Sequence, residues 1–431
     1  MSKRVLIVTY IFPPAGGAGV QRVAKFVKYL PKFGWEPIVL TVANSSVPLL
    51  DRSLLKDIPP DTIIHKAATL EPPYAVKQYV SSGNGNKFAS LVRSKLKNLA
   101  NTFLLPDVQV LWWPNLSIHL VKLLKQNQID CVFSSAPPFS TLVPTVFIAN
   151  KFKLPVIIDF RDEWSFTRTN FENSIKSPIA CKVDKFLEEY VVANCNLFTA
   201  ATQSYIDSIC AKYPSVDPSR GISITNGFDL DDFCSTGNFA AKDKLEIVYT
   251  GTIWKATSLE KFSTALLNIA KLKPELADQL RLRIVGRIVG NELQHISALK
   301  SCIDVEITGY LSHETIINMA LNADVLLLTL SNLRDSHKII PGKTFEYMAT
   351  GNHIFAIAPD GETKTIIAEN YPNATFADPD SVEDIQTKLE YLLSTIRTKP
   401  QSACSGISFF SREALTHRLA DVLDTAVSGS L

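Results

Sequence analysis

The sequence predicts an α/β protein made of two doubly wound domains. Three observations carry that prediction. The chain has 431 residues, more than one typical core needs. Short β-branched runs alternate with helix-period segments in both halves. A polar stretch with Gly and Ser and neither period, residues 229–244, separates the halves. Strand–helix alternation means parallel sheets covered on both faces, with ligands outside the carboxyl ends of the strands. The expectation is an N-terminal domain over 1–230, a second over 240–406 and a terminal segment over 407–431, the two domains facing each other across a ligand cleft.

Taken in order, the first half reads as strands at 5–10, 37–42, 62–65, 130–134, 156–159, 197–200 and 222–225. In the second half strands fall at 246–249, 281–285, 304–308, 325–330, 354–357 and 375–376. The last segment, 408–427, places Leu415, Leu419, Val422, Leu423 and Ala426 on one helix face. Residues 81–86 (SSGNGN) read as a loop.

Apolar content of 46%, charged content of 20% and a net charge of +2 describe an ordinary soluble chain and give no reason to expect nucleic acid as a partner. Seven scattered cysteines, an odd number with no CxxC pair, read as reduced thiols of a cytosolic protein. MSKRVLIVTY has too short an apolar run before Pro13-Pro14 for a secretion signal, and no run is long enough to span a bilayer.

The most informative stretch is PGKTFEYMATG, 341–351, between two apolar strands. Pro341 and Gly342 break the chain, and Lys343 and Glu346 then share a face of the first turn of a crossover helix. An amine and free N–H groups there can hold a diphosphate, while the carboxylate can accept hydrogen bonds from a ribose diol. The alternative for an isolated KxxE is a solvated i,i+3 ion pair. A second such device is FPPAGGAGVQR, where Gly16, Gly17 and Gly19 lead from the first strand into a helix expected near Val20. Its pattern is GGxG, and no acid follows the second strand, so a dinucleotide site is not indicated. A tight turn without ligand is the other reading.

Together with SSAPPFS, IIDFRDEW, ITNGFDLDDF, IVYTGTIWK and GKTFEYMATGNHIFAIAPDGE, in that order, these motifs resemble the family 4 retaining glycosyltransferases of the GT-B class, in their bacterial surface-polysaccharide branch. The resemblance covers nearly the whole chain. It implies two Rossmann-like domains with the last helix returning to the first, and metal-independent transfer of a hexose-type sugar from a nucleotide-sugar with retention. It implies no cofactor. Residue by residue, Glu346 matches the second acid of the family's glutamate pair and is expected to hold the donor ribose. Lys343 and Lys255 fall where relatives place cations for the diphosphate. Gly16 and Gly17 match the loop that closes over the donor phosphates; Gly251 and Thr252 open the donor domain, and Arg287 is an added contact or a surface arginine. Two positions depart from the pattern. Lys338 stands eight before Glu346, where the first acid belongs, and Thr252 stands where many members have arginine.

Departure of a nucleoside diphosphate builds charge on its phosphate oxygens. DxD, the metal-holding alternative, occurs at Asp229–Asp231 and Asp378–Asp380, both read as solvated turns. Fixed cations and N–H dipoles from Lys343, Lys255 and the glycine loop are then the expected neutralising groups. Asp159, Arg161 and Asp162 end a strand on the acceptor side and either orient the acceptor hydroxyl or form an internal Asp–Arg brace. His119, His313 and His337 show no partner pattern and read as structural. Residues 87–99 (KFASLVRSKLKNL), with Trp112-Trp113 nearby, form a basic amphipathic segment that can rest on the inner face of an anionic membrane or pack on its own domain. The expected partners are a nucleotide-sugar and a glycan or lipid-linked acceptor. The alternatives are a nucleotide-sugar 2-epimerase on the same architecture and an inactive sugar-nucleotide binder.

Overall fold

The computed structural model describes residues 2–44, 50–73, 104–164, 177–233, 242–396 and 406–429. They fall into two compact units, Met1–Thr225 with Arg412–Leu431, and Asn226–Ser411.

In the first unit the chain order is β1 (Lys3–Val8), α1 (Ala18–Tyr29), β2 (Trp35–Val42), β3 (Ile63–Ala67), α2 (Trp113–Gln126), β4 (Cys131–Ala136), α3 (Leu142–Lys151), β5 (Val156–Phe160), α4 (Pro178–Asn194), β6 (Leu197–Ala200), α5 (Gln203–Lys212) and β7 (Gly221–Ser223). The strands form one parallel sheet in the order β3-β2-β1-β4-β5-β6-β7. Val5 and Ile7 join one apolar layer and Leu6 and Val8 the other, which is why this strand reads as a continuous hydrophobic run.

The second unit runs β8 (Leu245–Thr250), α6 (Glu260–Leu272), α7 (Pro274–Asp278), β9 (Leu280–Val285), α8 (Glu292–Leu299), β10 (Asp304–Gly309), α9 (His313–Leu321), β11 (Val325–Thr329), α10 (Lys343–Thr350), β12 (His353–Ile357), α11 (Glu362–Asn370), β13 (Ala374–Ala377) and α12 (Val382–Thr395). Its parallel sheet has the order β10-β9-β8-β11-β12-β13. The order reverses between β8 and β11, and the crevice beyond their carboxyl ends is where such sheets take ligands. All thirteen expected strands are present, with no end displaced by more than two residues.

The terminal helix α13 (Arg412–Ser428) returns to the first unit. Leu415, Leu419 and Leu423 enter the layer formed by Val23, Phe26 and Val27 of α1. Each such leucine contributes about 1.5–3 kcal/mol on burial. Asp424 adds bonds to Lys3 Nζ at 2.8 Å and Trp35 Nε1 at 3.0 Å.

The amphipathic segment 87–99 and the loop 81–86 lie outside the described residues. Trp112 and Trp113 do not form an exposed aromatic pair beside it: Trp112 is fully buried and donates to Ala67 O at 2.9 Å, and Trp113 donates to Ser140 O at 2.6 Å. Among the described residues no helix is long and apolar enough to cross a membrane, and the five described cysteines are free.

Candidate functional site

α10 follows β11 after the 3-10 turn Ser336–Lys338, starts beside the carboxyl end of β8, and carries Lys343 and Glu346 on its first turn. Lys343 Nζ donates to Thr250 O, the last carbonyl of β8, at 3.0 Å and lies 3.5 Å from the centre of the Tyr249 ring. Tyr249 Oη in turn donates to Thr252 O at 3.0 Å, and Tyr347 Oη accepts from Thr250 N–H at 2.9 Å. The helix start and the end of β8 are therefore laced together around one amine. Burial holds Lys343 well below the usual lysine range, with Glu346 pulling the other way. An anion arriving there would restore the full charge.

The turn after β8 is exposed at Gly251 and Thr252. Gly251 has φ 109° and packs backbone to backbone on Gly286, just after β9: a Cβ on Gly286, at φ 139°, would come to 2.1 Å from Gly251 O. Only glycine fits there. The sequence reading passed over Gly286, although a glycine directly after a buried strand is a signal of close approach. Arg287 follows with an exposed side chain, and its carbonyl accepts from Ile253 N–H at 2.8 Å, so its backbone braces the β8 turn.

Lys255 is exposed and borders a concavity of about 300 Å³ with Lys261, Thr329, Ser331, Asn332 and Asp380. Lys343 and Glu346 are not among the residues that line it, so the two lysines do not share this concavity. Lys338 pairs with Asp335 at 3.0 Å.

Two sequence expectations about this domain need correction. Asp229 is not a solvated turn residue: it is 3% exposed, and its carboxylate accepts from Asp231 N–H at 3.1 Å. In the other DxD, Asp378 accepts from Asp380 N–H at 2.8 Å, while Asp380 pairs with Lys261 at 3.0 Å and accepts from Asn332 at 2.6 Å. No cluster of metal-ligating side chains occurs among the described residues. His313, read as lacking partners, lies 3.3 Å from Asp232 and 3.9 Å from Glu346. His119 Nδ1 contacts Asn115 O at 2.8 Å within α2, and His337 is exposed.

In the first unit Gly17 caps α1 with φ 108°, and the helix starts at Ala18, earlier than Val20. Gly19 thus enters the first turn, where its carbonyl accepts from Arg161. Asp159 is fully buried in a bidentate pair with Arg22, at 2.7 and 3.0 Å, and accepts from Ser135 and Thr199 at 2.7 Å. Burial pushes its carboxyl up, but the Arg22 charge and these bonds outweigh that and hold it below the usual range. The internal Asp–Arg brace therefore exists, with Arg22 as its cation. Arg161 is buried too, donating to Ala136, Pro137 and Gly19 carbonyls. Asp162 differs from both. Burial raises its carboxyl, Arg161 lowers it and Asp159 raises it again, with a net upward shift.

Residues 238–402 match the model of the family described as glycosyl transferases group 1. That match marks the second domain as a glycosyltransferase domain and the chain as an enzyme of that type. Among curated proteins none matches the chain. Anabaena HepE, solved in complex with UDP and glucose, is similar over 98% of this chain and 100% of its own, at TM-score 0.64 and 14% identity. Sucrose-phosphate synthase from Thermosynechococcus elongatus covers 99% and 100% at TM-score 0.66 and 12% identity. The UDP-GlcNAc 2-epimerase from Neisseria meningitidis, bound to UDP-GlcNAc, covers 98% and 100% at TM-score 0.57 and 13% identity. At such identities these likenesses speak to fold, and the fold is GT-B.

Proposed function

We propose that this protein is a retaining, metal-independent glycosyltransferase that moves a hexose-type sugar from a nucleotide-sugar to an acceptor hydroxyl. The observation that carries the reading is the placing of Lys343 and Glu346 on the first turn of α10, beside the end of β8, inside the segment matching glycosyl transferases group 1. The neighbours solved with UDP or a UDP-sugar make UDP-sugars the first donors to test. In this reading Glu346 receives the ribose diol and Lys343 faces the diphosphate. Lys255, Arg287 and the Gly251–Thr252 turn supply further contacts. Charge on the departing diphosphate is neutralised by amines and amides, which agrees with the internal bonding of Asp229, Asp378 and Asp380. Because the leaving phosphate can itself take the acceptor proton, no covalent side-chain nucleophile is required.

On the acceptor side Asp159 and Arg161 brace the β5 end, and Asp162 is the carboxyl left to orient the acceptor hydroxyl. A glycan or lipid-linked acceptor in surface-glycan assembly, met by a cytoplasmic enzyme at the membrane face, suits the basic amphipathic segment 87–99. The deciding experiment incubates the protein with UDP-, GDP-, ADP- and dTDP-sugars and candidate acceptors, with and without EDTA, and reads the product anomer by NMR. Transfer with retention, unaffected by EDTA, is expected; inversion or EDTA-sensitive transfer would refute this mechanism. A 2-epimerase is the second reading, favoured by the likeness to the Neisseria enzyme. Isomerisation of a UDP-sugar with no acceptor present would select it.

A further inference from the structure

Three side chains from separate stretches of the second domain converge beside α10. Asp232 lies in the 3-10 turn Leu230–Phe233, His313 opens α9, and Glu346 is on the first turn of α10. His313 Nε2 is 3.3 Å from Asp232 Oδ2 and 3.9 Å from Glu346 Oε1, and the side chains of His313, Asp232 and Glu346 keep only 13%, 7% and 16% exposure. Both carboxylates meet the same ring nitrogen. The ring's own backbone is held as well, because Ser312 Oγ caps α9 by accepting from Thr315 N–H at 3.3 Å.

A glutamate side chain restricted to one rotamer loses conformational entropy. Anything that holds it there before a ligand arrives removes part of that cost from binding. Of the charged groups around Glu346, Lys343 attracts it from one turn earlier, and His313 reaches it from a different helix. Nε2 is within hydrogen-bond range of Asp232, whereas Glu346, at 3.9 Å, is drawn by the positive end of the ring without a hydrogen bond to it.

We propose that His313 is a positioning residue for the donor: anchored on Asp232, its imidazole holds the Glu346 carboxylate in the orientation that receives the ribose diol. This rests on the ribose role given to Glu346 above. His313 acts through Glu346, so it changes nucleotide affinity and leaves turnover at saturating donor nearly unaltered.

A double-mutant cycle on UDP affinity, measured by titration calorimetry, tests this. H313A is expected to weaken UDP by about 5–10-fold in the parent and by less than about 2-fold in an E346Q background. H313Q, whose amide nitrogen reaches the Nε2 position, should recover most of the loss. An equal loss from H313A in both backgrounds, or no loss at all, would overturn the proposal. If E346Q leaves UDP affinity intact, the ribose role fails, and the pairing is read without nucleotide. The His313 ring titration, followed by NMR, should then shift down in E346Q, where a facing carboxylate is gone. An unmoved titration overturns the pairing itself.

Discussion

Lys343→Met removes the charge that the proposed chemistry needs most while keeping an unbranched apolar stem against Tyr249. In the parent, Nζ is 3.0 Å from Thr250 O and 3.5 Å from the Tyr249 ring centre. An ammonium about 4 Å from a developing phosphate charge contributes about 4 kcal/mol at an effective dielectric of about 20. Releasing the bond to Thr250 costs about 1 kcal/mol of that. The remaining ~3 kcal/mol corresponds to roughly 10²-fold in turnover, at the lower end of the about 10²–10³ seen when one preorganised donor is removed. The assay is initial-rate sugar transfer at saturating donor, with slow donor hydrolysis as a second readout. Turnover within about 3-fold of the parent would remove Lys343 from the chemistry.

The same lysine makes a pH prediction. Its folded value is depressed, so the unfolded chain keeps this proton toward about pH 10.4 after the folded chain has released it. Stability should therefore rise with pH between the depressed value and about 10.4, and K343M should lack that slope in chemical denaturation; parallel slopes would contradict the desolvated amine. Glu346→Gln should cost about 1–3 kcal/mol of UDP affinity by calorimetry, and equal binding would refute the ribose role. Asp159→Asn leaves Arg22 buried without its partner and should lower unfolding free energy by about 3–5 kcal/mol, read from urea midpoints; a loss under about 1 kcal/mol would show the brace to be dispensable.

Both sheets were legible because their inner strands are buried on both faces, and runs such as DVLLLTL cannot be read as amphipathic. Strand ends were less legible. Lys3 and Arg4 belong to β1 through pairing with Trp35 and Glu36, which no local hydrophobic pattern announces. Lys343 and Glu346 could be found because helical spacing alone puts them on one turn. The Asp159 brace was read one step wrong for the opposite reason. Its cation, Arg22, is 137 positions away in sequence, whereas Arg161 is local and buries its guanidinium against carbonyls. His313 was missed on the same ground, since Asp232 lies 81 positions from it and only the fold brings them together.

A crystal structure of the protein soaked with UDP bears most directly on whether α10 is the nucleotide site. The expected density places the ribose diol on the Glu346 carboxylate and the diphosphate within hydrogen-bond reach of Lys343 Nζ. Ordered UDP bound elsewhere, for instance in the concavity beside Lys261 and Asp380, with Lys343 still on Thr250 O, would contradict it.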